Sequence, residues 1–134
     1  MIATWVLLLS LGGLALNMAF SQSMVQPDWT LSLLLAVLLA HRSSWAWVLP
    51  ATGFHDLVFY WNIWGSLPWL IAIPLLLPQL DERLGPGLPQ RFVLMLFCSL
   101  SLLLQDWSVL AWLLTLALCI PVWFNLANHY ARSA

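Results

Sequence analysis

The stretch that decides the fold is Gln26-Pro27-Asp28-Trp29-Thr30-Leu31-Ser32-Leu33-Leu34-Leu35-Ala36-Val37-Leu38-Leu39-Ala40-His41-Arg42. Trp29–Ala40 is an uncharged, leucine-rich run. Polar Gln26-Pro27-Asp28 closes it on one side and His41-Arg42-Ser43-Ser44 on the other. Pro27 suits the first turn of such a helix, where its missing N–H costs nothing.

Working outward, the same alternation of apolar run and polar stop fills the chain. Ile2–Phe20 precedes it and ends at Ser21-Gln22-Ser23; with no basic residue before it, it reads as a retained first helix, not a cleaved secretory signal. After it come Trp45 to about Tyr60 and Gly65 to about Leu80, then the polar Gly/Pro-rich loop Asp81–Arg91. Phe92–Leu104, the break at Gln105-Asp106, a run from Trp107 to about Ala127 and the tail Asn128–Ala134 complete it.

Composition names the solvent. Of 134 residues 63% are hydrophobic and 7% charged, with a mean hydropathy of +0.92. A water-soluble domain is nearer half apolar and a quarter charged. The outer surface must therefore meet lipid. With net charge −1 and no lysine, a basic groove for nucleic acid is excluded. Cys98 and Cys119 lie in apolar runs without the short spacing of metal or redox pairs.

The expectation is an all-α membrane protein, residues 1–134 forming one polytopic domain, a compact bundle of about six transmembrane helices. Some runs are short: a helix of about 14 residues covers only about 21 Å of a hydrocarbon core about 30 Å thick. The second and fifth are of this kind, and five spans is the competing count. Six crossings from a cytoplasmic start place Arg42, Arg83, Arg91 and Arg132 all on the cytoplasmic side, as the positive-inside tendency requires. Both termini are then cytoplasmic. Trp29, Trp61, Trp64 and Trp107 fall at the opposite boundary, where indole rings favour the interface, and Trp5, Trp45 and Trp47 at the inner one.

Polar residues at membrane depth are the functional suspects. Asp56, preceded by His55, stands first; it needs a partner, a neighbouring helix to cap, or hydration at the outer interface. His41 and His129 fall on the inner side and His55 toward the outer, so a shared metal site is not expected. No G-x-S-x-G, H-E-x-x-H or P-loop occurs, and Asp56 and Asp106 lack the setting of an intramembrane protease. No cofactor is implied. Gly12-Gly13 permits close helix approach, Asn17 and Asn125 can bond across helices, and Pro50, Pro74 and Pro121 should bend theirs.

The order of these signals resembles the MreD family of bacterial rod shape-determining proteins. Three stretches carry the likeness: Gln26-Pro27-Asp28-Trp29 with its leucine-rich helix and His41-Arg42; Gly53-Phe54-His55-Asp56-Leu57 with Gly65 following; and Ile120-Pro121-Val122-Trp123-Phe124 before a tail with Arg132. The chain is shorter than usual members and lacks a paired-glycine pattern before Asp56. The resemblance implies a bacterial inner-membrane protein whose fold is similar to the substrate-binding subunits of energy-coupling-factor vitamin transporters. It further implies a non-catalytic scaffold that binds MreC, a single-pass protein, within the elongation machinery of RodA, its penicillin-binding transpeptidase and the MreB filament. That machinery organises lateral peptidoglycan synthesis. Candidate structural or partner-contact residues are Gly12, Gly13, Pro27, Asp28, Gly53, Asp56 and Pro121. The alternative is a small-molecule, vitamin-type binding subunit of a transporter, with Trp61, Trp64, Asn62 and Asp56 lining its pocket.

Overall fold

The computed structural model describes residues 2–20, 26–84 and 88–133, and all regular structure among them is helical. There are six α-helices: α1 (Ile2–Ala19), α2 (Trp29–Ala40), α3 (Trp45–Tyr60), α4 (Leu67–Leu84), α5 (Leu88–Leu104) and α6 (Val109–Ser133), with a 3₁₀ turn at Arg42–Ser44. The runs expected from sequence each become one helix, and several ends move. Helix α4 continues through Asp81-Glu82-Arg83, α5 begins four residues before Phe92, and the tail after Ala127 remains helical to Ser133. Pro27 is not in the first turn of α2: Asp28 is the N-cap and Pro27 precedes it. Pro50, Pro74, Pro78 and Pro121 lie inside continuous helices, each removing one backbone donor.

Helix α2 is the central element. Every residue from Thr30 to Leu39 except Leu33 is buried, and α2 packs on α1, α3, α4 and α6. At 12 residues it is about 18 Å long. Enclosed by protein, it has no need to match the thickness of a surrounding medium. Helix α5 packs on α6 and α4, while α1 is held chiefly by α2. Successive helices reverse direction, the end of one bonding near the start of the next at Asn17–Pro27, Asp56–Ser66 and Asp81–Arg91, so by place in the chain the His41 and Arg91 connections fall at one end of the bundle. Two contacts tie that end together: the His41 ring stacks on Tyr130 at 4.4 Å, and Arg91 forms a two-pronged ion pair with Asp81 at 2.6 and 3.2 Å.

The core is apolar, built on the leucines of α2 with Leu70, Ile73, Met95 and Leu102, but polar residues share it and large apolar residues cover much of the outside. Ser10, Asn17, Thr30, Ser32, Thr52, Ser99 and Thr115 are buried, whereas Trp5, Leu75, Leu104, Val93, Leu110 and Phe124 face outward, each at least half exposed. Among the described residues one helical segment, Val109–Tyr130, is long and apolar enough to cross a membrane; Ala3–Ala19, Trp29–Ala40 and Pro89–Leu104 are apolar but shorter.

Candidate functional site

At the end of α2 opposite His41, three ionisable side chains meet in the interior. Asp28, which follows Pro27, sits at φ −79°, ψ 91°, the extended backbone of an N-cap. Its Oδ1 accepts the Leu31 amide at 3.1 Å, satisfying one of the donors every helix start leaves open. Its own amide donates to Thr115 Oγ1 of α6 at 3.0 Å, and that hydroxyl donates to Ala111 O. The second carboxylate oxygen, Oδ2, lies 2.7 Å from His55 Nε2.

His55 and Asp56 are successive residues of α3 but join different partners. His55 Nδ1 is 3.0 Å from Asp56 Oδ1. Asp56 Oδ2 accepts the amides of Ser66 and Leu67, both at 2.8 Å, and so caps α4 from a neighbouring helix. All three side chains are at most 1% exposed. One chain of hydrogen bonds thus links α6, α2, α3 and α4.

The proton count follows from geometry. An ionised carboxylate only accepts, and a neutral imidazole has one N–H. Two ring nitrogens facing two carboxylates therefore require either an imidazolium between two carboxylates, or a neutral imidazole between a carboxylate and a carboxylic acid. Both arrangements carry one net negative charge. The amide-rich starts of α2 and α4 point at that charge and stabilise it, as helix N-termini do for anions.

A second set of bonds fastens α1 to the start of α2. Asn17 Nδ2 donates to Pro27 O at 2.9 Å, Thr30 Oγ1 to Ser10 O at 2.8 Å, and Gln26 Nε2 to Leu16 O at 3.1 Å. Gly13 makes this approach possible, because a Cβ there would overlap the Cβ of Trp29.

The residues singled out in the sequence therefore separate. Asp28 and Asp56 belong to one network; Pro27 and Gly13 support it. Gly12 faces open space, and a Cβ at Gly53 would make only ordinary contact with Leu67, so no close approach depends on that glycine. Pro121 lies in α6 on the arginine side of Thr115, outside the network. Asp56 points inward, while Trp61, Asn62 and Trp64 lie on an exposed turn, so these four do not line a common pocket. His41 and His55 lie at opposite ends of α2, so these two histidines do not meet. The members that sequence reasoning missed are His55 as the bridge and Thr115 as the anchor on α6. The adjacency of His55 and Asp56 was the available signal; nothing in the chain's order says that Asp28 reaches them.

No family model, no curated protein and no solved structure matches the chain. The site is thus read from its own chemistry. Each carboxylate oxygen and each ring nitrogen of the three residues already has a partner, and the arrangement works as a four-helix crosslink.

Thr115→Val tests one link. Valine keeps the shape and removes the acceptor for the Asp28 amide, leaving a buried N–H unpaired at a cost of about 1–3 kcal/mol. A lower thermal midpoint of the purified protein in detergent is the expected result. An unchanged midpoint would mean that the α6 link contributes nothing.

Proposed function

We propose that the chain is a polytopic protein of the bacterial inner membrane that acts as a non-catalytic scaffold of the MreD type. In this reading its six helices cross the bilayer with the start of α1 and the end of α6 on the cytoplasmic side, and it binds an MreC-like single-pass protein. RodA, the penicillin-binding transpeptidase and MreB complete the elongation assembly. The observation that carries the reading is the apolar outward surface: large leucine, valine, phenylalanine and tryptophan side chains stand exposed along the helices. The recurrence of arginine at alternate connections along the sequence supports the orientation. The Gln26–Arg42, Gly53–Gly65 and Ile120–Arg132 stretches support the family.

With most of its residues in packed helices, the protein offers a partner helix faces, where small residues allow close approach. Helix α1 is the best placed. It is held on one side by α2, and its outer side exposes Gly12, Ala15 and Ala19 between leucines. Mild-detergent extraction from the native membrane should recover a single-pass partner with this protein. Gly12→Leu should lose that partner without lowering the thermal midpoint, because nothing lies within 4 Å of the added Cβ. Stable recovery of the protein alone from its native membrane would count against the scaffold.

One feature favours the second reading, a small-molecule subunit. An apolar pocket of about 220 Å³ opens between α1, α2 and α3, lined by Leu7, Ser10, Leu11, Leu14, Phe54 and the His55 ring among others. A ligand carried through purification, or saturable vitamin binding, would support this reading over the scaffold.

A further inference from the structure

The four tryptophans expected at one boundary fall into two pairs. Trp29 and Trp107 are partly buried, and their indole N–H groups are used internally, by Gln26 Oε1 at 3.2 Å and by Tyr60 Oη at 2.8 Å. Trp61 and Trp64 project from the turn between α3 and α4, 90% and 72% exposed, with Ile63 between them 41% exposed. Neither of their indole N–H groups has an acceptor among the described residues.

The turn that carries them is tightly held. Trp61 ends α3 in the left-handed region, at φ 60° and ψ 17°, a conformation unfavourable for a bulky side chain. Asn62 closes the turn on both sides: its Oδ1 accepts the Trp64 amide at 2.9 Å and its Nδ2 donates to Tyr60 O at 3.0 Å. Gly65 lies against the Tyr60 ring, which any Cβ there would overlap, and Tyr60 is itself fixed by Trp107. Asp56 holds the next two amides, Ser66 and Leu67. A strained residue kept rigid by its surroundings commonly marks a functional position.

The chemistry of the surface says what it meets. From Leu57 to Leu80 the chain has no acidic or basic side chain, so the turn between α3 and α4 presents no charge of its own to water or to a charged protein surface. It presents two flat apolar rings, each with one free donor. That combination suits the boundary between acyl chains and headgroups, where ester and phosphate oxygens accept and the ring body stays out of water.

We propose that the Trp61–Trp64 turn is a preformed anchor that seats in the interfacial layer of the outer leaflet and fixes the depth of the bundle. The proposal rests on the membrane reading above. It also gives the short helix α3 a means of holding position: 16 residues reach only about 24 Å, less than the hydrocarbon thickness, and flanking aromatic anchors set depth under such mismatch.

The test uses the full-length protein in phosphatidylcholine vesicles brominated either near the headgroup or deep in the acyl chains. The wild type is compared with the Trp61→Phe/Trp64→Phe double variant. The expected result is that the double variant loses a component of tryptophan emission quenched by shallow bromines and little affected by deep ones. A component quenched instead by aqueous iodide and indifferent to bromolipid would overturn the anchor, as would shielding of the turn only when a co-purified protein is present. Flotation of the same vesicles separates the two readings: protein that floats with iodide-accessible Trp61 and Trp64 refutes the anchor alone, and protein that does not float refutes both. Trp61→Gly supplies a second measurement. Glycine accepts the left-handed backbone, so the detergent midpoint should rise while the shallow quenching falls. A higher midpoint with quenching retained would assign the depth signal to other tryptophans and overturn the proposal.

Discussion

Asp28→Ala should be the most damaging single substitution in the chain, lowering stability by about 3–5 kcal/mol, the range found when one partner of a buried charged pair is removed. Three losses coincide. The Leu31 amide loses its cap, His55 Nε2 loses its acceptor at 2.7 Å, and the four-helix linkage is cut at its centre. Against a typical total of about 5–15 kcal/mol, this is a large share of the folded state's margin. In detergent, the variant should migrate as an expanded or aggregated species on size exclusion and be cleaved readily by protease. Asp28→Asn should be much milder. Asparagine caps helices as well as aspartate does, and its amide can donate to the nitrogen of a neutral imidazole whose other N–H serves Asp56. Equal damage from both variants would show that the charge itself is required. An alanine variant as stable as the wild type would remove the network from any account of stability.

The second large effect separates two neighbouring glycines. Gly13→Ala places a methyl group against Trp29 Cβ and near the Thr30 amide, atoms fixed to the start of α2 that no side-chain rotation can move. Helix α1 must withdraw, stretching the Asn17–Pro27 and Thr30–Ser10 bonds with it. Overpacking of this kind costs about 1–3 kcal/mol. Gly12→Ala meets nothing within 4 Å and should be neutral, or stabilise α1 by up to about 1 kcal/mol through helix propensity. Thermal midpoints of the two variants, measured side by side in the same detergent, decide the matter; equal midpoints would contradict the close crossing of α1 and α2.

Much of the architecture was legible because apolar runs and polar stops recur at helical lengths. Trp29–Ala40 and Trp45–Tyr60 appear with the bounds the sequence suggests. The ends that moved did so for local reasons. Asp81 and Arg91 pair across the α4–α5 connection, and both helices extend into what composition alone marks as loop. Pro27 proved to be the residue before the cap because Asp28, with its side-chain acceptor, takes that position.

The candidate site was legible only in pieces. Asp56 stood out as a carboxylate in an apolar run, and its role as a cap on a neighbouring helix was among the readings open to it. That Asp28, 27 residues away from His55 in sequence, supplies the other acceptor could not be read along the chain. Nor could the use of Thr115, 87 residues from Asp28.

By itself the sequence determined the all-helical class, the positions of the runs and the grouping of arginines at alternate connections, because each depends on local composition and on the period of the chain. Only the tertiary structure decided that α2 is enclosed on all sides, that Gly13 and not Gly12 is the contact glycine, and that Asp28, His55 and Asp56 share two protons. Those facts depend on which helix faces meet, and the uniformly apolar character of these helices leaves no sequence stripe to mark the faces in advance.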